Sequence, residues 1–409
     1  ISGLTVGKGG GAVSSNTVVG NNSLVSNSGG HNSAFGASAL SQNTTGNYNN
    51  AFGWNALTAN TTGSSNIGIG EQALFSNTTA SNNTAVGYQA GYSNTTGTDN
   101  TAIGYGALYT NSTSNYNTAV GRDALRTGTG ARNTAIGAYT QNNQTTGASN
   151  SSLGIGSLNV NTSGSYNCAV GDGALGSNTT ASNNTAIGYQ ALYSSTVCGA
   201  NTAVGYQAGY SHNAIAGNYF NTLVGYQAGY DITGGYVNTC IGYLAGKNGS
   251  SSIYGTYIGA NSTASASNPS YEMVICSSNG ATTGKGNSTA FINANGGQTY
   301  NGANTTTWAT TSDQRIKENI VDLASGLSAI TALRPVEFDY KESGKHEIGF
   351  IAQEYQQVLP DQIVHHAPNE AEKAWVEGEV MGIQQNLTPY LVKAIQELKA
   401  EVDALKAAK

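Results

Sequence analysis

Charge is scarce in this sequence, and the scarcity is uneven. Of 409 residues only 9% are Asp, Glu, Lys or Arg. Residues 1–311 hold six acids (Glu71, Asp99, Asp123, Asp172, Asp231, Glu272) and six bases (Lys8, Arg122, Arg126, Arg132, Lys247, Lys285), so the whole net charge of −6 falls in residues 312–409. Neither part has the basic excess that neutralises phosphates, and no nucleic-acid partner is expected. Proline is nearly absent as well: there are five, and Pro335, Pro360, Pro368 and Pro389 all lie in the charged part. No apolar run approaches the roughly 20 residues that a membrane helix needs, so no membrane insertion is expected. The four cysteines, Cys168, Cys198, Cys240 and Cys276, show no CxxC spacing; Cys168 and Cys240 stand at small-residue positions of a repeat and read as buried free thiols. His31 and His212 lack an acid or Cys at ligand spacing and read as turn residues, and neither metal nor cofactor is expected. The chain opens at Ile1 with no charged or apolar leader, which reads as a fragment preceded by more protein.

What the sequence has in quantity is glycine, 55 residues, much of it at fixed spacing. "NTAVGYQAGY" occurs at 83–92 and identically at 201–210, with "NTAIGYGALY" at 100–109 and "NTLVGYQAGY" at 221–230. The motif's glycine falls at 20, 36, 53, 70, 87, 104, 121, 137, 154, 171, 188, 205, 225, 242 and 259, in steps of 16 or 17 with one of 20. Such a period marks a solenoid, whose rungs bury their apolar residues only by stacking. A rung this short leaves no room for a helix. It reads as a strand, a glycine bend, a second short segment and an Asn/Thr/Gly turn. Thr and Val/Ile are expected on one strand face and Ala on the other. The core is read as one Val or Ile, one or two Ala and at times a Leu, too thin to stand alone. Association is the natural remedy, with the small Ala face admitting another backbone. The fold class is therefore mainly β: a parallel β-solenoid over residues 1–262, about 70 Å long at about 4.8 Å per rung.

Other recurrent features of the rod follow from the repeat. Asn-x-Ser/Thr sequons at Asn43, Asn60, Asn77 and Asn94 are read as turn chemistry rather than glycosylation sites. Tyr residues at rung spacing, such as Tyr88, Tyr105, Tyr189, Tyr206 and Tyr226, are read as ladders ahead of a sugar-binding platform. Residues 263–311 lose the period and read as a short β neck, with Trp308 capping its core.

From Ser312 the pattern becomes α+β. Ile320, Leu323, Leu327 and Ile330 have helical spacing; "VEFDY" reads as a strand; "EIGFIAQEYQQVLP" runs from strand to helix and stops at Pro360. A last helix begins near Pro389. Its apolar residues Leu391, Ile395, Leu398, Val402 and Leu405 are spaced 4, 3, 4, 3, a heptad stripe suited to a trimeric coiled coil.

The Asn-x-Ala-Val/Ile-Gly rungs resemble the head repeats of trimeric bacterial autotransporter adhesins and of phage tail fibres, which implies a left-handed β-roll assembled as a homotrimer. "TSDQRIKENI", "RPVEFDY", "EIGFIAQEYQQVLP" and "PYLVKAIQELKAEV" are similar, in order and spacing, to the C-terminal intramolecular chaperone domain of phage endosialidases, tail spikes and L-shaped tail fibres. That resemblance covers 312–409. It implies a domain that trimerises, helps the preceding fibre to fold and then releases itself through a Ser-Lys pair. The serine falls on Ser312 and the lysine on Lys317, with the scissile bond between Thr311 and Ser312. A Lys held neutral can take the hydroxyl proton of a serine, so the pair is chemically competent; the competing reading of Ser312 is a helix N-cap.

Taken with the resemblance, three domains are expected: a repeat rod (1–262), a β neck (263–311) and a chaperone domain (312–409). The expected function is a homotrimeric phage tail fibre or receptor-binding protein, folded in the host cytoplasm and carried on the virion. Its partners would be itself, a host-surface glycan or protein, and other tail proteins. Its only enzyme activity would be one self-cleavage, as a single-turnover serine endopeptidase. The alternative is a bacterial trimeric surface adhesin with a permanent trimerisation domain. An enzyme acting on host polysaccharide would need paired carboxylates in a groove, and the six scattered acids of the rod argue against it.

Overall fold

The computed structural model describes residues 6–213, 217–277, 280–294, 297–301, 318–341, 344–366, 378–384 and 386–408. The chain divides into two compact units, Ile1–Thr311 and Ser312–Lys409.

The first unit is built on one 19-stranded sheet. Its terminal strands, Val6–Gly7 and Gly297–Asn301, pair antiparallel with their neighbours, and every other strand is parallel. Equivalent residues of successive rungs face each other: Thr84 opposes Thr101, Ala85 opposes Ala102, Val86 opposes Ile103. The bend glycine follows each strand. Gly87 has φ 140°, and a Cβ there would lie 2.4 Å from the carbonyl oxygen of Gly104 in the next rung. Both the backbone angle and the close approach require glycine at this point of the rung.

The strand faces are the reverse of the expected arrangement. Ala34, Ala51, Ala85, Ala119 and Ala135, the middle residues of their strands, are fully buried. Their Val/Ile neighbours point outward, with Ile69 41%, Ile103 39% and Ile136 38% exposed. A three-residue strand sends only its middle side chain inward. The inward space is shared with the second segment of the rung, which supplies buried Ala39, Leu40, Ala56, Leu57, Ala73 and Leu74 to the same cluster. Leu40, Leu57 and Leu74 all have φ near +51°, a left-handed conformation costly for a bulky residue and held here by burial.

Asparagine forms two buried ladders rather than simple surface turns. In one, Asn66 Oδ1 accepts the Asn83 backbone N–H at 3.0 Å and Asn83 Oδ1 accepts that of Asn100 at 3.0 Å. In the other, the Asn77 amide donates to Asn60 Oδ1 at 2.8 Å and the Asn94 amide to Asn77 Oδ1 at 2.9 Å. The sequon residues Asn43, Asn60, Asn77 and Asn94 are these buried ladder members, which supports turn chemistry over glycan attachment.

The sheet continues beyond residue 262, where the neck was expected to begin. Met273–Cys276 pairs in parallel with Thr256–Ile258, and Ala290–Ala294 pairs in parallel with Met273–Cys276. The core changes as it goes: Tyr257 and Phe291 replace the inward Ala. Glu272 stands at the ladder-Asn position and is buried. Its carboxylate accepts from Gly286 N–H at 2.8 Å, Ser265 N–H at 3.1 Å and Tyr257 hydroxyl at 3.2 Å. Trp308 lies outside the described residues.

The second unit is α+β. Helix α1 (Leu327–Ala332) precedes a hairpin of Val336–Asp339 with His346–Gly349. Helix α2 (Ala352–Val358) ends before Pro360, Ile363–His366 pairs antiparallel with Val380–Ile383, and helix α3 (Thr388–Ala407) closes the unit. The hairpin strand, α2 and α3 lie where the sequence placed them. Helix α1 is shorter than the apolar spacing implied: Ile320 and Val321 are exposed and not helical. Gly326 sets its start, because a Cβ there would stand 2.3 Å from the Ala394 nitrogen of α3.

Candidate functional site

The residues proposed for self-cleavage, Thr311, Ser312 and Lys317, lie outside the described residues. From Glu318 onward the second unit is braced by carboxylates. Glu397 on α3 accepts the backbone N–H groups of Gly326 at 3.1 Å and Leu327 at 2.7 Å, and these bonds hold its carboxyl below the usual carboxylate range. Arg334 makes a two-pronged pair with Glu354, which lowers the Glu354 pKa in the same direction. A cavity of about 640 Å³ lies along the start of α3, lined by Asp322, Leu323, Asn386, Thr388, Pro389, Val392, Lys393 and Gln396.

The heptad stripe of α3 is exposed. Leu391, Ile395, Leu398, Val402 and Leu405 are 39–69% exposed. On α3 only Ala394 is buried, so this single chain covers little of the helix's apolar surface.

The rod carries a second uncovered apolar feature, the outward column of strand-end residues from Val19 and Phe35 through Ile69, Ile103 and Ile136 to Ile258 and Ile275. Sequence reasoning assigned these residues to the core. The signal that distinguishes the faces is a volume exchange. Where the second segment has Gly209 and Gly229 in place of Leu, the strand has Leu223 in place of Ala, and a Cβ at those glycines would meet the Leu223 side chain at 2.7 and 2.6 Å. Residues that trade size in this way share one interior.

The aromatic ladders are present. Tyr88 stacks on Tyr105 at 5.2 Å, and Tyr189, Tyr206, Tyr226 and Tyr243 form a run at 5.3, 5.0 and 5.4 Å. Within a stack each ring face is covered by the next ring, so only the edges meet solvent and the interior of the run offers no face to a sugar. Arg122 extends one ladder, with its guanidinium 5.6 Å from both Tyr105 and Tyr139.

His212 differs from its reading as a turn residue. It is fully buried, edge-on to Tyr219 at 5.2 Å, at the column position that carries Asn94 and Asn178 in other rungs. Burial lowers its pKa to about 4. Cys240 is buried at the inward Ala position and its thiol is pushed up by burial, while Cys168 is half-buried; among the described residues no disulfide joins the cysteines. Among the described residues no group of three or more His, Cys, Asp or Glu side chains gathers to hold a metal, and no helix is long and apolar enough to cross a membrane.

Residues 312–364 match the family model described as the chaperone of endosialidase. The match starts at Ser312, the first residue of the second unit. No curated protein and no solved structure matches the chain. The matched segment and the β-solenoid together fit a tail fibre with a C-terminal intramolecular chaperone domain.

Proposed function

We propose that the chain is one subunit of a homotrimeric phage tail fibre or receptor-binding protein, in which the C-terminal domain aligns three chains, directs folding of the rod and then leaves by one self-cleavage. The observation that carries this reading is the chaperone match over 312–364 placed directly after a β-solenoid. Two features support self-association: the exposed heptad stripe of α3 and the outward Val/Ile column of the rod. Both are long apolar lines on the surface, and such lines mark contact surfaces.

In the cleavage step Lys317, neutral in its site, takes the Ser312 hydroxyl proton. Ser312 Oγ attacks the Thr311 carbonyl carbon, and the C–N bond to Ser312 breaks as that nitrogen is protonated. An ester joins Thr311 to Ser312 Oγ. Water hydrolyses it, freeing a carboxylate on Thr311 and restoring the serine hydroxyl. Lys317 is the general base and Ser312 the nucleophile. The released trimer 1–311 would be carried on the virion, bind other tail proteins, and attach to a host-surface glycan or protein.

Intact mass and native sizing of the wild type, Ser312→Ala and Lys317→Ala test this. The wild type should separate into 1–311 and 312–409, while both variants stay whole and trimeric. A wild type that stays whole under folding conditions, or that runs as a monomer, would overturn the cleavage or the trimer respectively.

A further inference from the structure

Three columns of side chains run along the second segment of the rungs from 188 to 247; two end at the rung of Tyr230 and the third one rung later, at Tyr243. Tyr193, Tyr210 and Tyr230 stack at 5.5 and 5.2 Å. Beside them Gln207 Nε2 donates to Gln190 Oε1 at 2.9 Å, and Gln227 Nε2 donates to Gln207 Oε1 at 2.9 Å. In the next rung the tyrosine column continues with Lys247 and the glutamine column with Leu244. Tyr230 therefore has one face that no ring covers. Gln227 Oε1 has no donor among the described residues, because leucine supplies none. Gln227, Tyr230, Leu244 and Lys247, together with Asp231, line a cavity of about 270 Å³. The third column, Tyr226 and Tyr243, is followed by Ala260 and likewise ends without a covering ring.

A ladder elsewhere on the rod shows what a closed end looks like. Phe75, Tyr92 and Tyr109 stack at 5.1 and 5.1 Å, and the next residue in the column is Arg126. Its guanidinium lies 5.2 Å over the Tyr109 ring and bonds to Asp123, so cation and acid seal the stack. At Tyr230 an acid and a base are also present, yet among the described residues no ion pair joins Asp231 to Lys247 and no cation stands over the ring. Among the described residues Asp231 accepts only a long bond, 3.5 Å, from Asn248 N–H. The hydrogen-bonding capacity that closes one ladder is left facing the cavity at the other.

We propose that Tyr230, Gln227, Asp231 and Lys247 form a subsite for one pyranose ring of a surface glycan. A pyranose presents a C–H face, which stacks on an aromatic ring, and a rim of hydroxyls that both donate and accept. The open Tyr230 face matches the first; Gln227 Oε1 and the Asp231 carboxylate accept from the rim, and Lys247 donates to it. The volume lies just below the roughly 300 Å³ at which sites for drug-sized ligands begin, the size of a single sugar ring. Tyr230 belongs to the second segment of its rung, across the buried core from the strand that bears the Val/Ile column, so association through the strands leaves it open. Three weak sites on one trimer would act together through multivalency. The proposal names a ligand class for the attachment role proposed above and rests on it.

Saturation-transfer NMR on the full chain tests the subsite with four probes at millimolar concentration: the methyl pyranosides of glucose, galactose, mannose and N-acetylglucosamine. At least one should receive saturation, strongest at the protons of one ring face. Tyr230→Ala and Lys247→Ala should each weaken that binding by tenfold or more, and Tyr230→Phe, which keeps the stack, should retain it. Tyr92→Ala, in a ladder whose end is sealed, should leave it unchanged. Silence from all four probes, or binding that survives both alanine variants, overturns the subsite. If the fibre still adsorbs to bacterial cells in that case, only the subsite is lost; loss of adsorption as well removes the attachment role too.

Discussion

His212 gives the fold a built-in acid sensitivity whose size can be worked out. It is buried with its pKa lowered to about 4 from the ordinary 6.5, and desolvation is the main cause. The unfolded chain therefore holds the proton more tightly than the folded one. His212 lowers stability as pH falls below about 6.5, and the loss is complete only below about 4. The limit is about 3 kcal/mol, of which about 2 kcal/mol is lost by pH 5 and most by pH 4. His212→Asn installs the residue found at this column position in Asn94 and Asn178 and removes the titrating group. Urea unfolding of both proteins at pH 7, 5 and 4 should show the wild type losing about 3 kcal/mol more than the variant over that range. Comparing slopes across pH cancels any packing defect of the variant. Histidine C2-proton exchange read by mass spectrometry gives the pKa directly. A midpoint near 6.5 at His212, or equal pH slopes in the two proteins, would refute the reasoning.

The ladders and the uncovered faces carry three further expectations. Asn83→Ala removes the acceptor of the Asn100 N–H and the donor to the Gly97 carbonyl in a buried site, and should cost about 2–4 kcal/mol in urea unfolding; a cost below about 0.5 kcal/mol would mean the ladder carries no stability. Gly87→Ala places a Cβ against the Gly104 carbonyl at φ 140°, and should cost at least about 2 kcal/mol, with loss of protection from amide exchange centred on the two adjoining rungs. On the proposed trimer, Ile103→Asp in the outward column and Ile395→Asp on α3 should weaken association in sedimentation; unchanged association in the double variant would remove both faces as contacts.

The period of 16 or 17 was enough to establish stacking and bend glycines, because one covalent spacing repeated over fifteen rungs fits hardly any architecture but a solenoid. It did not decide which strand face lies inside. Alternation in Thr-Ala-Val is the same whichever phase is buried, and hydropathy favoured Val. The interior is filled in most rungs by Ala on the strand and Leu on the facing segment, and the exchange of Leu223 against Gly209 and Gly229 shows the two positions sharing one volume. Asparagine misled for a similar reason. Its turn propensity is real, but the recurrence of Asn at two fixed offsets from most bends was the mark of buried ladders rather than of exposed loops. In the second unit the long helix α3 was legible from its stripe, whereas the start of α1 depended on Gly326 meeting the backbone of α3 about 70 residues later, which local spacing does not contain.

The same ladders explain why such a rod would need a folding template. Thr84 opposes Thr101 as well as Thr101 opposes Thr118, and the Asn and Val/Ile columns repeat with them. A strand set shifted by one rung, about 4.8 Å, loses the contacts of a single rung and keeps nearly all the others. The identical segments at 83–92 and 201–210 make the alternatives closer still. Within one chain the short connections limit slippage. Between three chains nothing in a uniform apolar column distinguishes one register from the next, apart from interruptions such as the 20-residue step at 205–225 and the Arg122–Asp123–Arg126 cluster. Register between chains is therefore best set at one end before stacking propagates. The proposed C-terminal template would do this, since by first gathering three α3 helices it would align the last rungs while the rod is still unfolded. Once every rung is paired the template adds nothing to the register. The proposed cleavage would then also take away the point from which the ordered state could be reversed, leaving a fibre held by slow unfolding.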